Sequence, residues 1–177
     1  MIVNFQDIVP FMDQVRQKLM MVLGSFGADE KELREVPDGW SVTEVVEHLG
    51  KLEGMIQYQL RQMLEKEPAL PSEPWDEKLT DVSEVLQNSG IIGKKIEAPK
   101  AAVPSGTLSY EEAMDKLNQV RDTTKEIIAR LAERNTNDLR YPHPFGFEMN
   151  ANQWAHFIAI HETLHIRQLG RIREANK

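Results

Sequence analysis

Asn150-Ala151-Asn152-Gln153-Trp154-Ala155-His156-Phe157-Ile158-Ala159-Ile160-His161-Glu162-Thr163-Leu164-His165-Ile166-Arg167-Gln168-Leu169 is the stretch on which the reading of this chain turns. At about 100° per residue, Trp154, Phe157, Ile158, Leu164, Leu169 and Ile172 share one face of a helix. Asn150, with Gln153 three residues on, is its N-terminal cap, and the helix runs almost to Lys177. His161, His165 and Gln168 fall inside the same apolar arc, close to its middle. Each polar group on a buried stripe costs roughly 1–3 kcal/mol when unpaired, so three of them together need a reason. His156 falls on the opposite side and is expected to be solvated.

The rest of the chain has the same helical spacing. Phe5, Ile8, Met12, Val15, Leu19 and Val22 form one stripe, with Pro10 early and Gly24 and Gly27 closing it. Ser41 and Glu44 form a capping box for a second helix, whose stripe is Val42, Val45, Leu49, Leu52, Ile56, Leu60 and Met63. Ser109 and Glu112 do the same for another, carrying Tyr110, Ala113, Leu117, Val120, Ile127 and Leu131. Between them, residues 67–107 hold five of the nine prolines (Pro68, Pro71, Pro74, Pro99, Pro104) and one short helical pattern around Leu79–Leu86. A connection of that length is uncommon inside a compact domain and reads as a crossover that roofs part of a pocket. With no credible strand, the expectation is an all-α four-helix bundle with one long crossover, a single domain over residues 1–177.

Composition narrows the function classes. The net charge is −7, from 21 Lys plus Arg against 28 Asp plus Glu, which argues against a nucleic-acid partner. The absence of cysteine excludes a disulfide scaffold, a thiolate zinc site and a cysteine nucleophile. No apolar run is long enough for a membrane span, and the first residues lack a signal-peptide pattern, so a cytoplasmic protein is expected.

His161 and His165 lie four apart, which projects two imidazoles from one face one turn apart and suits two ligands on a single metal ion. A third ligand should come from a facing helix. His48, three after Val45 and four before Leu52, is the candidate. Three neutral imidazoles leave open positions on zinc, nickel or iron(II) for water or substrate. The competing reading makes all three satisfied core histidines. His143, between Pro142 and Pro144, shapes a turn or lines the pocket rather than ligating. Gln168 is either a core hydrogen bonder or a support for an imidazole from behind, Glu44 offers the same support in competition with its capping role, and Trp40 anchors the start of the second helix. Arg167, Arg171 and Arg173 form a solvated face.

His161-Glu162-Thr163-Leu164-His165 is literally the H-E-x-x-H string of zinc peptidases, in which the glutamate is the general base. Only 12 residues follow His165, too few for the usual third-ligand helix, and the extended metzincin pattern is missing. The wider pattern is closer to another family. Gly39-Trp40-Ser41-Val42-Thr43-Glu44-Val45-Val46-Glu47-His48-Leu49, followed by His143-Pro144-Phe145-Gly146, Gln153-Trp154 and His161-Glu162-x-x-His165-x-x-Gln168, resembles the DinB-like superfamily across the chain and in the right order. That resemblance implies an up-down-down-up four-helix bundle, often a homodimer, with a divalent metal on three histidines that map onto His48, His161 and His165. It also implies activity as a thiol S-transferase using a low-molecular-weight thiol, or as a metal-dependent hydrolase.

The leading expectation is therefore a metal-dependent enzyme acting on a small-molecule substrate, with Glu162 or Glu44 assisting proton transfer if water is the nucleophile. The alternative from another class is a non-catalytic metal-binding or stress-response module. An H-E-x-x-H metallopeptidase ranks below both.

Overall fold

A computed structural model describes residues 7–66, 82–88, 97–133, 140–143 and 146–177. Phe5, Leu79, residues 67–81 and 89–96 of the proline-rich connection, and Pro144-Phe145 lie outside the described residues. Five α-helices are present among the rest: α1 (Ile8–Gly24), α2 (Val42–Lys66), the short α3 (Val82–Asn88), α4 (Tyr110–Leu131) and α5 (Ala151–Ala175). The three capping boxes form as the sequence directs. Ser41, Ser109 and Asn150 accept from the amides of Glu44 (3.2 Å), Glu112 (3.1 Å) and Gln153 (2.8 Å), whose side chains accept in return at 2.8–3.0 Å.

The direction of each helix follows from which residues meet. Gly50 faces the backbone of Leu117, and Gln57 bonds Val120 and Thr124, so numbering rises together and α2 runs parallel to α4. Phe11 meets His156, Arg16 meets Glu162 and Arg173 reaches Ser25, so α1 runs parallel to α5. His48 meets His161 while Trp40 meets His165, which makes α2 antiparallel to α5. The result is an up-down-down-up bundle. Two neighbouring parallel helices cannot be joined by a tight turn, and this is why a long crossover must separate α2 from α4.

The apolar core has two halves. One gathers Ile8, Met12, Ile56, Leu60, Ile127, Leu131, Trp154 and Ile158; the other gathers Leu19, Leu23, Val42, Val45, Leu49, Leu117, Leu169 and Ile172. At the changeover between halves each long helix contributes one buried charge: Arg16, Glu53, Arg121 and Glu162.

Three expectations need correction. The loop before α5 contains a small antiparallel hairpin, β1 (Arg140–Pro142) with β2 (Glu148–Asn150), in the register Arg140↔Asn150, Tyr141↔Met149 and Pro142↔Glu148. Gly146, at φ +86°, supplies the left-handed residue of its turn. His156 is buried at 7% exposure, its ring edge-on to Phe11 at 5.1 Å. Residues 151–159 are all buried, because α3 and β2 add to the packing of α1 and α2 on α5. Leu164, expected in the core arc, is 50% exposed, since towards its C-terminal half α5 is covered on fewer sides. No helix among the described residues is long and apolar enough to cross a membrane.

Candidate metal centre

His48 on α2 and His161 and His165 on α5 converge. His161 Nε2 lies 2.9 Å from Nε2 of His48 and 2.9 Å from Nε2 of His165, and the three ligand atoms all fall within 4.8 Å of one another. His48 is buried and the other two are partly buried. The α-helical repeat stacks His161 over His165, and the antiparallel approach of α2 brings His48 to the same level.

The outer nitrogens decide what the inner ones can do. His48 Nδ1 is 2.7 Å from the carbonyl oxygen of Ala102, and His165 Nδ1 is 2.7 Å from the Gln168 amide oxygen. A carbonyl oxygen only accepts, so both Nδ1 atoms carry the proton and both Nε2 atoms present bare lone pairs. His161 can offer at most one N–H to two such neighbours. Protonation does not resolve the shortage at neutral pH. Burial, and then the neighbouring imidazoles, hold His161 well below the usual histidine range and His165 at about 4; burial also lowers His48. Three converging lone pairs with one hydrogen among them suit a cation. Zinc ligands at about 2.0–2.1 Å in a tetrahedral site stand about 3.3 Å apart, so the two pairs at 2.9 Å would spread by a few tenths of an ångström around a divalent ion.

Aromatic rings wall the cluster. Trp40 lies 4.6 Å from His48 and, nearly parallel, 6.4 Å from His165, while Phe157 is 5.8 Å from His161. Trp40, expected as an anchor, thus also covers two of the imidazoles. His143 is buried, stacked on Phe147 at 4.4 Å and Trp154 at 5.4 Å, and burial holds it at about 4.

The two glutamates singled out as proton carriers have other partners. Glu162, 1% exposed, accepts through Oε1 from Arg16 Nε (2.8 Å) and NH2 (2.5 Å) and from Arg121 NH2 (2.8 Å), while its Oε2 is buried without a partner. Burial raises its pKa against the lowering pull of the two guanidiniums. Glu53 completes the group, pairing bidentately with Arg121 at 2.8 and 3.1 Å and with Arg16 at 3.2 Å. Glu44 closes its capping box and pairs with Arg34 at 2.5 Å. Among the arginines read as a solvated face, Arg171 pairs with Glu35, and Arg173 pairs with Glu30 and stacks on Phe26 at 4.0 Å.

Sequence reasoning missed Arg16, Glu53 and Arg121, and a signal was present. Arg16 follows Met12 by four, Glu53 follows Leu49 by four and Arg121 follows Leu117 by four, each on an apolar stripe. Two clefts, of about 240 and 270 Å3, lie where the end of the crossover meets α2, and Glu47 and Leu108 line both.

Comparison with known proteins agrees with this architecture. A family model described as the DinB superfamily matches residues 12–169. The chain is 29% identical over 151 residues to the uncharacterized protein YuaE of Bacillus subtilis (strain 168), covering 84% of this chain and 87% of that one. Among solved structures it is similar to TT2238, a four-helix bundle protein (TM-score 0.64, 18% identity, 94% of this chain and 98% of that chain). It is also similar to an uncharacterised protein from Escherichia coli UTI89 (TM-score 0.54, 15% identity, 97% and 91%). At these identities the structural likenesses carry the fold alone.

Proposed function

The chain belongs to the DinB superfamily, and on that premise we propose that His48, His161 and His165 hold one divalent metal ion and that the protein is a metal-dependent S-transferase joining a low-molecular-weight thiol to a small electrophilic substrate. The observation that carries this reading is the arrangement of three facing Nε2 atoms that share at most one hydrogen. When bound, such an ion lowers the pKa of a thiol or water brought to it, so that the nucleophile exists near neutral pH.

The residues around the site support thiol chemistry over a carboxylate-assisted hydrolysis. Glu162 and Glu44 are both committed to arginines, which leaves no free carboxylate among those singled out, and a thiol needs no general base once its proton has gone to solvent. In the transfer, the sulfur lone pair forms the new bond to the electrophilic carbon, and the leaving group departs with its bonding pair. The Ala102 carbonyl and Gln168 keep two imidazoles in the ligating tautomer, and Trp40 and Phe157 exclude water from their faces. The same commitment of Glu162 weighs against a peptidase of the H-E-x-x-H type. A homodimer and a cytoplasmic location belong to this reading as well.

Elemental analysis of protein purified without chelator, beside His161→Ala, is the first test. About one equivalent of metal in the parent and little in the variant is expected, followed by metal-dependent conjugation of a chromogenic haloarene with one member of a low-molecular-weight thiol panel. No metal after incubation with zinc, nickel and iron(II) would return the histidines to the core and leave a non-catalytic module. Bound metal with water-dependent cleavage and no thiol activity would select the hydrolase.

A further inference from the structure

The crossover is fastened to α2 at three neighbouring points. His48 Nδ1 donates to Ala102 O at 2.7 Å, Lys51 Nζ to Val103 O at 2.9 Å, and the Ser105 amide to Glu47 Oε1 at 2.9 Å. Glu47 and Lys51 also pair with each other at 2.8 Å. Pro104 lies inside the held segment and restricts its backbone. The segment that directly follows the carbonyl on His48 is therefore held by one carboxylate, from the residue before His48, and one ammonium, from the turn after it. Glu47 is 4% exposed, and its second oxygen is buried without a partner. Burying half of a carboxylate unsatisfied is unfavourable and offsets part of what its pair with Lys51 gives the helix.

From this geometry we infer that Glu47, with Lys51, is a positioning residue of the metal centre: by gripping the Val103–Ser105 segment it holds the Ala102 carbonyl on His48 Nδ1, and metal binding and crossover docking stabilise each other. The inference rests on the three-histidine reading. With the grip released, His48 is free to turn or to carry its proton on Nε2, and either change removes a ligand. Reciprocity follows by linkage. Whatever binds better when the crossover is docked must hold the crossover down, and by the same factor.

The test is a Co2+ titration of the full chain against a chromophoric chelator, read together with the Co2+ absorption spectrum and with hydrogen exchange at the Ser105 amide. Glu47→Ala and Lys51→Met are each expected to weaken Co2+ binding about tenfold, with an altered Co2+ spectrum in Glu47→Ala. Glu47→Gln, whose amide oxygen still accepts from Ser105, should restore the spectrum and bring affinity to within about threefold of the parent. In the parent, Co2+ should slow exchange at Ser105. Should Glu47→Ala unfold, which far-UV circular dichroism would show, Lys51→Met and the exchange measurement carry the test. Parental affinity and spectrum in the foldable variants, or Ser105 exchange indifferent to Co2+, would overturn the inference and leave the metal site standing. A parent that binds no Co2+ would overturn both.

Discussion

Glu162 and His161 are consecutive residues of α5, yet they belong to two polar clusters built on opposite rules. Glu162 joins Arg16, Glu53 and Arg121, one residue from each long helix, in a group whose charges sum to zero and whose guanidiniums find carboxylates and two backbone carbonyls, those of Leu117 and Met12. The cluster is closed: protein answers protein, apart from Glu162 Oε2. His161 joins His48 and His165 in a group whose inward-facing nitrogens carry more acceptors than donors, because two of the outer nitrogens hold their protons on other partners. That cluster is open, and in the function proposed above a metal ion from outside the chain completes it. The step of about 100° between adjacent helical residues is enough to send two neighbours into these different surroundings. Burial of polar groups is therefore a weak guide to function on its own; the balance of donors against acceptors separates structure from site.

The largest effect that would sharpen this contrast comes from opening the closed cluster. Glu53→Ala leaves two buried guanidiniums sharing the one carboxylate of Glu162 and should cost about 3–5 kcal/mol in urea unfolding, the usual penalty for removing one partner of a buried ion group. Replacing all four charges together, as Arg16→Met, Glu53→Leu, Arg121→Met and Glu162→Leu, should recover most of that loss, because no uncompensated charge remains. A single variant losing less than about 1 kcal/mol would mean that the cluster is not closed in the sense argued here.

His156 calibrates the open cluster, since it is a buried histidine with no convergent partners. Burial lowers its pKa to about 4. The folded state thus binds fewer protons than the unfolded chain between about pH 6.5 and 4. Its full contribution is present above pH 6.5 and is lost as pH falls towards 4, up to about 3 kcal/mol for one such group. His156→Leu should flatten this acid limb by about one proton, with His143 supplying a similar slope that persists. Zinc should move the acid limb of the histidine cluster to lower pH and leave the His156 contribution where it is. Stability measured by urea titration from pH 7 to 4, with and without zinc, checks both, and an acid limb unchanged in His156→Leu would remove that residue from the account.

The reading of the sequence reached unequal depths in different places, and the reasons are physical. The starts of α2, α4 and α5 were legible because a capping box is local chemistry, complete within four residues. The histidine trio was legible because imidazoles on an apolar stripe are conspicuous at helical spacing. Arg16, Glu53 and Arg121 were not picked out, although each follows an apolar residue by four, because a single long charged side chain on a stripe ordinarily snorkels to solvent. Only the meeting of four helices, a tertiary fact, makes a neutral group of them. His156 was misplaced for a related reason. A helical wheel assumes one dry side, and residues 151–159 are all buried where α1, α2, α3 and β2 pack on α5. The hairpin, with three-residue strands, is too short for any alternation to show.

The smallest expected effect is the one most specific to the open cluster. Gln168 touches His165 through a single hydrogen bond at 2.7 Å and lies partly exposed on the last turns of α5. Gln168→Ala removes no core volume and strands no charge, so the metal-free protein should unfold within about 0.5 kcal/mol of the parent. The metal should notice more. Without an acceptor at Nδ1, His165 loses the partner that commits its proton to the outer nitrogen, and zinc affinity measured by chelator competition should fall about tenfold, near 1.4 kcal/mol. A variant that loses affinity while keeping its metal-free stability separates ligand positioning from packing, which Glu53→Ala cannot do. Unchanged zinc affinity would instead give the orientation of His165 to Trp40, whose ring already lies nearly parallel to it at 6.4 Å.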